Sequence, residues 1–310
     1  MVTNTLTKHY AKGKTALDGL NLSVRQGEIF GYLGPNGAGK TTTIRMLMDF
    51  IRPSAGSAQV FGLDAQQHSI AIHQRIGFLP GELNLWQNQT ALNVVRYFAS
   101  VRGGVDLRYA HTLAERLQFD MSKRVRDYST GNKRKLGLVL ALMHQPELLI
   151  LDEPTSGLDP LMQQIFIELM REWRDAGRTV FLSSHVLGEV QAICDRVAIL
   201  RDGVLQAVES VTKLTHVDFK WVTLRFRDGA PLGHLAGVPG ISEVHAEADT
   251  IKLRLSGDFD PLLRAFNGSY IVDLHVQEPT LEEIFLAFYG NQHHEVGNHR
   301  SEQVAKERVS

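Results

Sequence analysis

A single cysteine, Cys194, stands in the 310 residues, so no disulfide can form within the chain and a reducing, cytoplasmic compartment is the natural setting. Long apolar runs are missing as well. The longest, Leu136 to Met143 and Leu148 to Leu151, fall far short of the ~20 residues that span a bilayer, so the chain is not expected to cross one. Charge of either sign has no excess: 33 Lys and Arg stand against 34 Asp and Glu, a formal net charge of -1, which offers nucleic acid no general attraction. The start, MVTNTLTKHYAKGK, lacks the apolar stretch and cleavage site of a secretory signal. What is present, 43% hydrophobic and 22% charged residues, is the balance of a soluble globular protein, and the length suits about two domains.

Along the chain, Leu20 to Val24 and Glu28 to Leu33 read as strands, and a glycine-rich loop follows. Ile44, Leu47, Met48 and Ile51 then recur at helical spacing until Pro53 and Gly56. From about 83 to 147 the pattern is helical, with segments near Ala91 to Val101, Tyr109 to Leu117 and Asn132 to Met143, which predicts a helical subdomain inserted in an α/β core. The core resumes with strand LLILLDEP, helix Leu161 to Asp175, strand TVFLSS, helix Val186 to Ala192 and strand RVAIL. Alternation of this kind predicts a mainly parallel sheet covered on both faces, in a first domain of residues 1–211. Residues 212–290 change rhythm to the order βαββαβ, expected of a small ferredoxin-like α+β domain, and end on helix TLEEIFLAFY. The polar stretch 291–310 is expected to be a disordered tail, with His293, His294 and His299 solvated rather than metal-bound.

GPNGAGKTT, Gly34 to Thr42, fits G-x-x-x-x-G-K-[ST] and sits between a strand and a helix, where such a loop cradles phosphates. Backbone N–H groups from Gly34, Asn36, Gly37, Ala38 and Gly39, with the positive helix end, suit an anion. Lys40 is placed to reach the β- and γ-phosphates of ATP, Thr41 to offer its hydroxyl to Mg²⁺, and Thr42 to donate to the α-phosphate. Downstream, a buried strand ends on Asp152 and Glu153, at the sheet edge where α/β proteins bind ligands. Asp152 can hold Mg²⁺ through water and Glu153 can activate the attacking water. In isolation such a pair would more often cap the next helix; the upstream phosphate loop favours chemistry. His185, ending strand TVFLSS at the same edge, can hydrogen-bond the γ-phosphate.

These motifs, in this order and spacing, resemble the ATP-binding cassette (ABC) ATPases, with SGLDP at Ser156 to Pro160 similar to their D-loop, which brings Asp159 into the nucleotide site. The resemblance implies that Tyr10 stacks on adenine. It matches YSTGN, Tyr128 to Asn132, to the family's usual LSGGQ, with Thr130 in place of a glycine and with Ser129 and Gly131 kept as donors to the nucleotide of an opposing cassette. One cassette per chain thus implies a second, identical or paralogous. At the Q-loop Gly81 stands where the family usually has glutamine, and Glu82 is the nearest substitute as a contact to Mg²⁺ or its water.

The YSTGN variant, the LPGE turn and the EPTLEEIFLAFYG ending resemble ATPase subunits of bacterial multidrug or antibiotic exporters. That implies a motor on the inner face of the plasma membrane, driving a separate transmembrane permease. The competing expectations are a soluble cassette acting on ribosomes or DNA, whose fused second cassette or long coiled coil is absent here, and a regulatory cassette of weak activity, against which Glu153 speaks.

Overall fold

The computed structural model describes residues 1–10, 13–215, 219–277, 279 and 283. It divides into two compact units, Met1–Val211 and the chain from Thr212 onward.

In the first unit the chain runs β1 (Val2–His9), β2 (Thr15–Ser23), β3 (Ile29–Leu33), α1 (Lys40–Leu47), β4 (Ala55–Val60), β5 (Leu63–Asp64), α2 (Ser69–Arg75) and β6 (Ile76–Leu79). It continues through α3 (Ala91–Val101), α4 (Leu107–Arg116), α5 (Thr130–Leu142), β7 (Leu148–Asp152), α6 (Pro160–Asp175), β8 (Thr179–Ser184), α7 (Leu187–Ile193), β9 (Arg196–Arg201) and β10 (Val204–Ser210). A short α8 (Val211–Thr215) lies at the boundary.

The central sheet has the order β10-β9-β3-β8-β7-β6, and every pairing but that of β10 with β9 is parallel. Every residue of β7 and β8 is buried, as strands covered on both faces require, and this is why they read as continuous apolar runs. A second, antiparallel sheet, β2-β1-β4-β5, was not anticipated from sequence. Its first strand, VTNTLTKH, is threonine-rich and broken by register shifts at Leu6 and Lys8, so its period of two is blurred. It nevertheless buries Leu6 beside Leu17, Leu20 and Leu22 of β2 in one core with Phe30, Tyr32, Ile44, Leu47, Phe181 and Leu200. Helix α1 contributes Ile44 and Leu47 to that core, which fixes the phosphate loop ahead of it against the sheet.

The helical stretch is α3, α4 and α5, each opened by a side-chain cap: Thr90 accepts from Asn93 N, Asp106 from Arg108 N and Ser129 from Asn132 N. The Asp106 cap starts α4 two residues earlier than its apolar period suggests. Between α2 and α3 runs β6, a four-residue strand paired in parallel with β7. The helical rhythm on either side hides it, and it adds an edge to the parallel sheet.

The second unit is a sheet of order β12-β13-β11-β14, built from β11 (Phe219–Phe226), β12 (Ile241–Glu247), β13 (Thr250–Ser256) and β14 (Ile271–Gln277), with all pairings antiparallel. Val222, Leu224, Ile251 and Leu253 form its core with Leu262 and Phe266, from and beside α9 (Asp260–Ala265). This strand order is the one a βαββαβ chain adopts, except that the first expected helix, PLGHLAG, is one 3₁₀ turn at Leu232–Leu235. Two glycines in seven residues leave too little to offset helix nucleation. Apart from Glu283, the expected helix TLEEIFLAFY lies outside the described residues, as does the expected tail 291–310.

Candidate nucleotide site

The loop between β3 and α1 is wedged between two pieces of main chain. A side chain at Gly39, where φ is +108°, would meet Ala16 O at 2.4 Å, and Ala38 O accepts from Gly203 N at 3.0 Å. The loop therefore has one course, and no side chain caps the helix it opens. Uncapped N–H groups at a helix start, aimed into a cleft, are the physical requirement for binding an anion. The cleft, of about 480 Å³, is walled by Asn36, Gly37, Gly39, Lys40, Thr41 and Thr42 of the loop, by Glu153, and by Tyr10 and Lys14 at its outer end. Gly34 and Ala38 instead serve the loop's own frame: Gly34 O accepts from Lys40 Nζ at 2.5 Å, and Ala38 is buried.

Lys40, Asp152, Glu153 and His185 converge here from different elements. The Lys40 side chain is 6% exposed, and its Nζ stands 3.3 Å from Glu153 Oε1. The other carboxylate oxygen, Oε2, is 2.7 Å from His185 Nδ1, and the imidazole itself is half exposed. Asp152 ends β7 fully buried, and its two oxygens are taken by hydroxyls: Thr41 Oγ1 donates to Oδ2 at 2.8 Å and Ser183 Oγ to Oδ1 at 2.5 Å. Immediately after it Glu153 turns to φ +51°, a left-handed conformation uncommon for a residue with a side chain, which aims the carboxylate back over the loop toward Lys40. That turn is held by Glu153 N donating to Ser183 O at 3.2 Å and to Ser183 Oγ at 3.1 Å.

Ser183 was not singled out in the sequence, although its signal was there. It ends the apolar run of β8 and is the parallel partner of Asp152 in the sheet. Lys14 was also missed, since a lysine in a polar turn carries no motif. Beneath the loop, Tyr32 meets Thr43 Oγ1 at 3.1 Å, and burial pushes its phenol well above the usual tyrosine range, leaving it a neutral structural group. Burial likewise raises the Cys194 thiol, in keeping with its reading as a small core residue.

The donors present fit a hard divalent cation. Thr41 and Asp152 bring oxygen atoms together at the phosphate loop, and among the described residues no cluster of three or more His, Cys, Asp or Glu is placed to hold a metal alone. One carboxylate, one hydroxyl and the substrate's own phosphates is the set magnesium characteristically takes.

Of the remaining expected residues, Tyr10 lines the cleft and the others do not. Tyr10 is 40% exposed at the cleft mouth with Lys8 Nζ 5.5 Å from its ring centroid. Ser129 caps α5 through Asn132 N at 3.3 Å, and Asp159 caps α6 through Met162 N at 3.0 Å. Gly131 packs so closely on the loop after Glu153 that a Cβ would meet Gly157 O at 2.6 Å. None of these three lines the cleft. Glu82 is exposed and holds no described ion pair, whereas its neighbour Gly81 touches the site directly: a Cβ there would lie 3.1 Å from Asp152 Oδ2.

With the cradle and its carboxylates in place, the comparisons with known proteins decide the lineage. The family described as ABC transporter matches residues 17–156, and the bacitracin transport ATP-binding protein BcrA of Enterococcus faecalis is 32% identical over 295 residues, covering 93% of this chain and 96% of that protein. The chain belongs to the ABC transporter ATP-binding family. This cassette is also 32% identical over 292 residues to the fluoroquinolones export ATP-binding protein MT2762 of Mycobacterium tuberculosis, covering 93% and 92% of the two chains. Among solved structures, one titled as an ATP binding subunit of an ABC transporter superposes with a TM-score of 0.63 at 27% identity, covering 69% of this chain and 90% of that one.

Proposed function

We propose that this chain is the ATP-hydrolysing subunit of an exporter for antibiotic-like molecules, acting as a pair of cassettes on a separate transmembrane permease at the cytoplasmic face of the membrane. The observation that carries the reading is the meeting of Lys40, Glu153 and His185 around one carboxylate beside the Thr41–Asp152 pair, at the mouth of a phosphate loop. Similarity to the fluoroquinolones export ATP-binding protein over 93% of this chain supports the direction of transport. Among the described residues no helix is long and apolar enough to cross a membrane, so the path for the cargo falls to a partner.

In this reading the triphosphate lies along Gly34 to Thr42, with Tyr10 against the base and Lys40 released from Gly34 O to the β- and γ-phosphates. Glu153 takes a proton from water as the water oxygen bonds to the γ-phosphorus. The bond from that phosphorus to the bridging oxygen breaks, leaving ADP and inorganic phosphate. His185, held by Glu153, orients that carboxylate and reaches the terminal phosphate. Magnesium, held by Thr41 and Asp152, would supply charge neutralisation on the β- and γ-oxygens. Ser129, Gly131 and Asp159 sit at helix starts, where they serve the nucleotide of the second cassette once two chains face each other. Glu82 is the proposed further contact to the metal's water.

Affinity purification of the tagged full-length chain from mild-detergent extracts of its own cells tests the coupling. An integral membrane protein is expected to copurify in fixed proportion. Purification of the whole cellular pool free of any membrane protein would overturn it.

A further inference from the structure

Among the described residues two buried cations, Arg134 and Lys135, lie outside the nucleotide cradle, and Arg134 reaches the loops beside it. Arg134, in the second turn of α5, is 6% exposed and takes none of the described ion pairs. Its guanidinium instead donates to main-chain carbonyls: Nη1 to Pro80 O at 2.7 Å, Nη2 to Gly81 O at 2.9 Å, and Nε to Ser156 O at 3.5 Å. A planar fork that bridges two consecutive carbonyls fixes both the position and the orientation of the peptide they flank, which a lysine ammonium cannot do.

Those carbonyls belong to the two loops that leave the sheet beside the metal carboxylate. Leu79 is level with Leu151 in the parallel β6–β7 pair, so Pro80 and Gly81 leave the sheet next to Asp152. Gly81 has no side chain where one would stand 3.1 Å from Asp152 Oδ2, the oxygen that accepts the Thr41 hydroxyl. Ser156 closes the turn begun by Glu153, donating its N–H to Glu153 O at 3.2 Å. A shift of Gly81 toward Asp152 would crowd that oxygen, and a shift away would open it to solvent.

We propose that Arg134 is a positioning residue for hydrolysis, holding the Gly81 backbone against the Asp152 carboxylate and the Ser156 turn behind Glu153, so that the magnesium-dependent step depends on a side chain from the helical subdomain. Burial lowers the guanidinium's affinity for its proton, and the charges of Asp152 and Glu153 oppose that loss. It remains a cation.

The inference rests on the hydrolytic reading, and one experiment keeps the two apart. Full-length wild type, Arg134→Lys and Arg134→Met are compared for ATP turnover, for the magnesium concentration giving half-maximal turnover, and for ATP affinity in EDTA. Both variants are expected to lose at least about tenfold in kcat and to need severalfold more magnesium, with ATP affinity in EDTA held within about twofold, because displacement of positioned groups by even an ångström is costly. Turnover and magnesium dependence within twofold of wild type in either folded variant would overturn it. So would an equal loss of affinity in EDTA, or failure of both variants to fold, each of which would make Arg134 a structural brace. Absence of turnover in the wild type would instead overturn the hydrolytic reading itself.

Discussion

Replacing Glu153 by glutamine is expected to lower ATP turnover by about two to four orders of magnitude, the range associated with losing a general base, while ATP still binds and still draws two cassettes together. The amide keeps the size of the side chain but gives up the charge that faces Lys40 at 3.3 Å and His185 at 2.7 Å. Local structure should survive the change. Lys40 retains its bonds to Gly34 O and Pro35 O, and the left-handed turn at residue 153 is held through its main chain by Ser183. Phosphate release and equilibrium binding of a fluorescent ATP analogue, measured side by side, check the split. Unchanged turnover would show that another group takes the proton from water.

The second large effect is expected at Gly39. Alanine there would have to adopt φ near +108° and would bring its Cβ to 2.4 Å from Ala16 O, a main-chain atom that cannot swing aside. Left-handed strain alone costs roughly 1–3 kcal/mol, and relieving the contact moves the loop away from the sheet. ATP affinity should therefore fall by about ten- to a hundredfold, at roughly tenfold per 1.4 kcal/mol. Gly37→Ala is the internal comparison: φ is +84° there, yet a Cβ meets nothing within 4 Å. It should lose less than Gly39→Ala, and equal losses from the two would show that the packing against Ala16 is not what sets the loop.

What could be read from the sequence follows from the kind of signal each residue leaves. The phosphate loop, Asp152, Glu153 and His185 were legible because β3, β7 and β8 are apolar runs with abrupt polar ends, and the ends of parallel strands meet at one sheet edge. The antiparallel sheet was not, because β1 and β4 rely on threonine, alanine and glycine and are stabilised by neighbours far along the chain. Strand β6 was hidden among helices, and the first helix expected in the second unit gave way to a 3₁₀ turn where glycines interrupt it. Within the site, Ser183 and Arg134 escaped notice for a common reason. They act through register and through main-chain carbonyls, neither of which has a motif. Gly81 was noted as the loss of a side chain; the structure gives that loss a place, directly over Asp152.

The account turns on a single magnesium triphosphate being gripped where Thr41, Asp152 and Lys40 meet. A crystal of the Glu153→Gln protein grown with manganese and a non-hydrolysable ATP analogue, with the metal located by its anomalous scattering, tests this most directly. The expected result is a manganese peak beside Thr41 and Asp152, with Lys40 turned from Gly34 O to the terminal phosphate. A well-ordered nucleotide whose metal lies away from both residues, or a lysine still bonded to Gly34 O, would contradict it.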